Sequence, residues 1–529
     1  MARAKPGVPE ESISAGADFL QLDIREAPAG GRAGWLAGRL RLAISDGRLP
    51  VGSRLPASRV LAADLWVSRG VVTEAYRRLS EDGHVVGRRR AGTVVVAAPP
   101  IPPVPAPPRP VASPTRPVAH PTGPAEASAS ELFAGTPGLE IFDAVRAAPA
   151  RIDLSPGVPD LGAFPRAAWL RAERAVLGRL VPADFGYGDP RGTPALRTAV
   201  ASWLARYRGI RVDPGDVVVV AGVAQALGLF AEVLRRDGIT AVAVEDPGSL
   251  GVRQHLNNWG LDTPPVPVDD AGIRVDQLHQ HAAVMLTPAH QFPTGVVLDG
   301  DRRRQLMRWA EAGGLIVEDD YDAKHRYDRP PVPALRSILA EQVFYTGSVS
   351  KLLAPALRIG WALVPARYRD AMVAAKRNAD LGNAALPQLV LAELMGSGGL
   401  ERHLRLLRRR HVRRRDAMID AIRTHLPGAT VHGAPAGLHL MVTFDAEARD
   451  AEARDAEAYD VEIRDAELAA AALARGVKVQ PLSWHRQRPG PPGLLLGYAA
   501  SPPTEIAAGI ATLGEALREL RDRRRRTRD

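Results

Sequence analysis

The chain has 529 residues, a formal charge of +10 and 46% apolar residues. That length exceeds one hydrophobic core and implies two to four domains, while the apolar share is ordinary for a globular protein. The absence of cysteine excludes disulfides, thiolate metal sites and a thiol nucleophile, and no apolar run reaches the roughly 18 residues of a membrane span. A cytoplasmic location and no metal site are the expectations; the positive charge allows a nucleic-acid partner without establishing one.

Residues 1–24 carry little pattern and are expected as an arm. Between Arg32 and Ile44, the residues Trp35, Leu36, Leu40 and Ile44 recur at helical spacing, with Gly47 as a cap. Pro50 and Pro56 punctuate a turn, Ala57 to Leu65 reads as a short helix, and Ser68 reads as the N-cap of a helix to about Asp82. Helix, short turn and helix at this spacing predict a helix-turn-helix. Val72, Ala75, Tyr76 and Leu79 would face inward, leaving Arg69, Thr73 and Arg77 on the opposite face. Two alternating runs, His84 to Val86 and Thr93 to Val96, flank a basic tip at Arg88–Arg90 and predict a wing.

The block RLPASRVLAADLWVSRGVVTEAYRRLSEDGHVV, followed by RRRAGTVVV, resembles the winged helix of the GntR-type bacterial repressors. The resemblance implies double-stranded promoter DNA as partner, with Arg59, Ser68, Arg69 and Thr73 as contacts and Arg90 and Thr93 in the wing. Gly70, in the first turn of the second helix, is unusual there and would let the backbone approach DNA closely. The winged domain is expected over 25–97 and a Pro-rich linker over 98–150. Fully extended, Pro99 to Pro124 would span about 80 Å.

From Ile152 the pattern turns to alternating strands and helices. VVVVAGVAQALGLF is a strand, a glycine and a helix start, which together offer backbone amides to an anion at Gly222, Val223 and Ala224. AVAVEDPGSL is a further strand and turn, and VMLTPAHQFPTG brings His290 and Gln291. LIVEDDY is a buried strand ending in carboxylates. QVFYTGSVSK is a strand followed by Ser348, Ser350 and Lys351, a lysine placed to form a Schiff base with a carbonyl. Ligands of open α/β sheets sit beyond the carboxyl ends of the strands, so these residues are expected around one crevice.

These motifs, with LSPGVPDLGAFP and FGYGDPRGTPALR, resemble the fold type I aminotransferases. The resemblance implies an α/β domain over 151–525, built on a mixed, mostly parallel sheet with a smaller C-terminal subdomain from about 386. It implies pyridoxal 5'-phosphate as cofactor, with Asp319 on the pyridine nitrogen, Tyr321 on the ring hydroxyl and Lys351 on the aldehyde. Arg358, Ser348, Ser350 and the Gly222–Ala224 turn would take the phosphate, Tyr187 would reach it from a second subunit, and His290 would lie near the ring. The chain departs from the family pattern at four places. Val223 and Ala224 replace polar residues, Ser249 stands where an aromatic usually stacks on the ring, and Leu495 replaces an arginine that binds substrate carboxylate.

A winged helix joined by a linker to such a domain resembles the MocR subfamily of GntR-type regulators. The resemblance implies a homodimer with head-to-tail domains whose DNA binding responds to an effector, either pyridoxal phosphate or its aldimine with an amine. The pathways expected under such control are vitamin B6 or amine metabolism, and the site would serve sensing rather than turnover. Two alternatives stay open at this point: a working aminotransferase with a DNA-binding head, and a dimerisation scaffold without cofactor.

Overall fold

The computed structural model describes Leu22 and residues 24–28, 31–45, 49, 51–88, 92–96, 129–322, 325–327, 332–433, 436–444 and 464–528. The chain divides into two compact units, Met1–Ala119 and His120–Asp529. The first contains α1 (Arg32–Ser45), α2 (Ser58–Asp64), α3 (Arg69–Glu81), β1 (Val85–Arg88) and β2 (Gly92–Val95). Leu36, Leu40 and Ile44 of α1 form one apolar cluster with Leu61 of α2 and with Val72, Ala75, Tyr76 and Leu79 of α3. The Tyr76 hydroxyl, buried with them, donates to the Pro56 carbonyl at 2.8 Å, so the polar end of this core residue is satisfied. β1 and β2 pair antiparallel, Val85 opposite Val95 and Arg88 opposite Gly92, and make the wing. Arg90, the Gly47 cap, nearly all of the 1–24 arm and residues 98–128 of the linker lie outside the described residues.

The second unit opens earlier than residue 151. Within the stretch expected as linker, α4 (Ala129–Leu132) and α5 (Ile141–Ala147) are folded. Phe133, Ile141 and Val145 bury against the C-terminal subdomain, and Phe133 stacks on Trp484 at 5.0 Å, enough apolar surface to order this segment.

There follow β3 (Ile152–Asp153), α6 (Arg166–Leu177), α7 (Pro194–Arg208), β4 (Val218–Val220), α8 (Val223–Arg236), β5 (Ala243–Asp246) and α9 (Leu250–Asn258). Next come β6 (Pro265–Asp269), β7 (Gly272–Ile273), β8 (Ala283–Leu286), α10 (Gly300–Glu311), β9 (Leu315–Asp320), β10 (Val343–Ser348) and β11 (Gly360–Leu363). The eight-stranded sheet has the order β4-β11-β10-β9-β8-β5-β6-β7. β10, β9, β8, β5 and β6 run parallel, while β11 is antiparallel to both β10 and β4. β4 therefore points the same way as β10, and β11 begins at the edge where the other strands end. Both faces are covered, which is why the strands read as unbroken apolar runs. One face packs Val219, Val284, Ile316 and Tyr345 with α7 and α10; the other packs Val218, Val244, Val317 and Phe344 with α8.

The remaining elements are α11 (Arg369–Asp380), α12 (Ala385–Gly396), α13 (Gly399–His425), β12 (Thr430–His432), β13 (His439–Thr443), α14 (Asp465–Ala474), β14 (Val477–Lys478), β15 (Gln480–Pro481), β16 (Gly493–Gly497) and α15 (Pro503–Arg528). Leu391, Leu394 and Met395 place α12 in the large sheet's core, so the smaller layer starts with α13 rather than near residue 386. Its sheet has the order β12-β13-β16-β15, backed by α13, α14 and α15. The basic C-terminal run continues α15, in which Leu513 and Leu517 are buried and Arg524 pairs with Glu467 at 2.5 Å. Among the described residues no helix is long and apolar enough to cross a membrane.

Candidate functional sites

In the first unit, Arg59, Ser68, Arg69 and Thr73 are exposed together at the starts of α2 and α3, and Thr93 is half-buried on the wing. Ser68 occupies the N-cap of α3 without a side-chain hydrogen bond to the helix, which leaves its hydroxyl unspent. Arg69 donates from Nε to Ser58 Oγ at 3.3 Å. The Thr73 hydroxyl donates to the Arg69 carbonyl at 2.9 Å. Arg77, expected on the same face, is paired with Glu74 at 2.7 Å and with Glu81, so its charge is largely neutralised within the helix. A Cβ at Gly70 would meet only Ser68 Oγ at 3.7 Å, so the fold itself does not require glycine there. Trp66 stands in the turn of the helix-turn-helix. It is 92% exposed and adopts φ of +55° between α2 and α3, a conformation bulky side chains rarely take.

In the second unit, the carboxyl ends of β4, β5, β8, β9 and β10 share one edge with the start of β11. Topology thus gathers Gly222, Ser249, His290, Asp319, Tyr321, Lys351 and Arg358, although up to 136 positions separate them in sequence. Lys351 turns inward, its ammonium donating to the Gly157 carbonyl at 2.5 Å. Burial pushes this amine below the usual lysine range, while the carboxylates of Asp319 and Asp322 oppose the shift.

Successive residues of a strand face opposite sides of the sheet. On β9 this rule separates three adjacent acids. Glu318 and Asp320 turn to the α7 side, where Asp320 accepts from Arg208 Nε at 2.6 Å and from the Tyr345 hydroxyl. Asp319 turns to the other side, where its Oδ1 is buried without a hydrogen-bond partner. Burial, then the nearby Asp320 and Asp322 carboxylates, push Asp319 up to about 8, with Lys351 pulling the other way. An orphaned carboxylate oxygen held in this manner suits a cationic N–H donor.

Tyr321 follows β9. Its hydroxyl lies 3.0 Å from His290 Nδ1, which also lies 2.8 Å from Asp322 Oδ2. Phe292 closes one side, packing on Tyr321 at 6.1 Å, His439 at 5.0 Å and His485 at 5.2 Å between ring centres. Burial pushes His439 down to about 4 and His485 to about 3, so both rings are neutral. Gln291, the other residue expected near the ring, is spent elsewhere: its Oε1 accepts from Thr294 N at 2.9 Å in its own turn, and its Nε2 donates to the Pro247 carbonyl at 2.9 Å.

A second group forms at the start of α8. Gly222 takes φ of +82°, and a Cβ there would stand 3.2 Å from the Arg358 guanidinium. Arg358 donates to the Ala221 carbonyl from a left-handed position with φ of +50°. A Cβ on Gly360 would meet Ser348 Cβ and Gly222 Cα, each at 3.2 Å, so Ser348 belongs to the same corner. The Ser350 amide donates to Ser348 Oγ at 3.3 Å. Val223 and Ala224 supply only backbone amides. Gln225, the polar side chain closest to them in sequence, is turned away: its Oε1 accepts from Ala221 N at 2.7 Å and its Nε2 donates to Asp380 at 2.7 Å. Tyr187 is not gathered; it is 96% exposed.

The departures have structural consequences. Ser249 caps α9 by accepting from Val252 N at 3.3 Å, and puts no ring into the cleft. Leu495 is fully buried in an apolar cluster with Met441 and Leu482, against Phe292. Arg253 donates to the Trp484 carbonyl at 2.6 Å. Asp322 and His439, which sequence reading missed, are buried in the site. The alternation within EDDYD was the signal that distinguishes its acids.

Two family models match the chain: "Bacterial regulatory proteins, gntR family" over residues 34–95, and "Aminotransferase class I and II" over residues 151–501. The probable rhizopine catabolism regulatory protein MocR of Rhizobium meliloti is 30% identical over 490 residues, 91% of this chain and 93% of that protein. The pyridoxine biosynthesis transcriptional regulator PdxR of Corynebacterium glutamicum is 30% identical over 414 residues, 78% of this chain and 83% of that one. Among solved structures, the kynurenine aminotransferase of Pyrococcus horikoshii superposes with a TM-score of 0.63 at 26% identity, over 72% of this chain and 93% of the enzyme. With a helix-turn-helix head, an aminotransferase-type sheet and relatives of this length that are regulators, the chain belongs to the MocR-type transcriptional regulators of the GntR family.

Proposed function

We propose that the second unit binds pyridoxal 5'-phosphate through Lys351 and that its occupancy sets how a homodimer grips promoter DNA. The observation that carries this reading is the unpartnered, buried Oδ1 of Asp319, whose carboxyl is near enough to the buried Lys351 amine and the Tyr321 phenol to shift the titration of both. When bound, the cofactor supplies an aldehyde that condenses with amines and a ring that withdraws electrons. Asp319 holds a proton for the ring nitrogen, and Tyr321, braced by His290, donates to the ring hydroxyl. Arg358, Ser348, Ser350 and the backbone amides of Gly222, Val223 and Ala224 hold the phosphate, with Tyr187 reaching in from the partner subunit. The near-complete exposure of Tyr187 in a single chain is what such a role calls for.

Arg59, Ser68, Arg69, Thr73, Arg90 and Thr93 contact DNA in this reading. The site is used for sensing rather than turnover, since Leu495 offers a substrate carboxylate no cation and Ser249 offers the ring no stacking partner. The name of the Corynebacterium relative supports control of vitamin B6 supply. A ligand alters DNA binding only through unequal affinity for two arrangements of the protein. The direct test is the affinity for the DNA upstream of its own gene, with and without pyridoxal phosphate. Equal affinities, with cofactor demonstrably bound, would overturn the sensing role.

A further inference from the structure

We infer that Lys376, on α11 and outside the set of residues assigned above, is a positioning residue for the phosphate end of the site. The inference rests on the cofactor reading just given. Lys376 is fully buried, which is rare for lysine unless its ammonium is completely paired. Its Nζ donates to three side-chain oxygens: Gln225 Oε1 at 2.9 Å, Asp380 Oδ2 at 2.6 Å and Asn383 Oδ1 at 2.6 Å.

The Gln225 oxygen it holds is the one that accepts from the Ala221 amide, while the carbonyl of the same residue accepts from Arg358. The Ala221 peptide is thus gripped at both ends, by Lys376 through Gln225 and by Arg358 directly. That peptide precedes Gly222, whose left-handed backbone opens α8 and aims its first amides outward. The arrangement also compensates for a defect. The first two positions of α8 are valine and alanine, and the amide of the third, Gln225, is spent on Asp380, so this turn offers an anion no free side-chain donor. Lys376 compensates by position rather than by charge: its ammonium is met by Asp380, and through Gln225 it fixes the Ala221 peptide from which the backbone amides of α8 are aimed.

The far side of the same cluster reaches the segment after Tyr187. Gln388 donates to the Asn383 carbonyl at 2.9 Å, and its oxygen accepts from Thr193 N at 2.8 Å. A Cβ on Gly382 would meet Pro190 Cα at 3.2 Å. Gln225, Lys376, Asn383 and Gln388 therefore brace both the α8 turn and the stretch that carries Tyr187.

The test compares two ligands on the full-length protein, pyridoxal 5'-phosphate and pyridoxal, which lacks the phosphate. Lys376→Met should weaken pyridoxal phosphate at least about tenfold and leave pyridoxal within about twofold. Gln225→Leu leaves the lysine in place and should give the same selective loss, which keeps the test decisive if the lysine variant fails to fold. Equal losses for both ligands would mean a merely structural role and overturn the inference, as would no loss at all. A parent protein that binds neither ligand would overturn the cofactor reading itself, and is told apart because no variant enters that comparison.

Discussion

The ammonium of Lys351 is held 2.5 Å from the carbonyl oxygen of Gly157, a residue 194 positions earlier in the chain. Gly157 has φ of +75°, and a Cβ added to it would stand 3.2 Å from that Nζ. Gly157→Ala therefore strains the backbone and displaces the amine together. A titration of pyridoxal phosphate followed by absorbance should show binding weakened by about tenfold or more, and Lys351→Ala should abolish the absorption of the bound form.

Asp319 is held at about 8 in the cofactor-free protein, well above the ordinary carboxyl value of about 3.9. Between those two values the folded chain keeps a proton that the unfolded chain releases, so this residue makes stability fall as pH rises from about 4 to about 8. Asp319→Asn removes the titration. Thermal unfolding without cofactor should give the variant a higher Tm than the parent at pH 8, reflecting on the order of 5 kcal/mol of extra stability, and nearly the same Tm at pH 4. Cofactor binding by the variant should be weaker at both.

Gly70→Ala should stabilise α3 by up to about 1 kcal/mol, because helix propensity favours alanine and the site has room for the methyl. Operator affinity should nonetheless fall, since the close approach of backbone to DNA is lost. Trp66→Gly should likewise stabilise the head, by about 1 kcal/mol, through relief of the left-handed conformation. Arg69→Ala should remove site preference, and all of these affinities should drop steeply with salt.

Leu495 predicts which ligands the loaded protein ignores. α-Amino acids should bind it no better than amines of similar shape without a carboxylate, as read by spectral titration. Leu495→Arg should not rescue amino-acid binding: it buries a cation in the Met441–Leu482 cluster and should cost about 3 kcal/mol or more in urea unfolding.

The head was legible because helical spacing alone sorts Val72, Ala75, Tyr76 and Leu79 from Arg69 and Thr73, and the structure buries the first group and exposes the second. The site edge was legible for a similar reason, since each chemically active residue follows an apolar run that had to be a strand. Three-dimensional pairings were not. Nothing in the local pattern near Gln225 says that its side chain turns towards Lys376, 151 positions on. Nor did the proline-rich composition before residue 125 reveal that Phe133, Ile141 and Val145 would find a distant apolar surface.

The Phe133–Trp484 stack fixes the start of the second unit. Trp484 also supplies the carbonyl that Arg253 grips, and its neighbour His485 packs on Phe292, the ring beside Tyr321. The segment that opens the second unit is therefore packed onto the cleft's own lining through the two consecutive side chains Trp484 and His485.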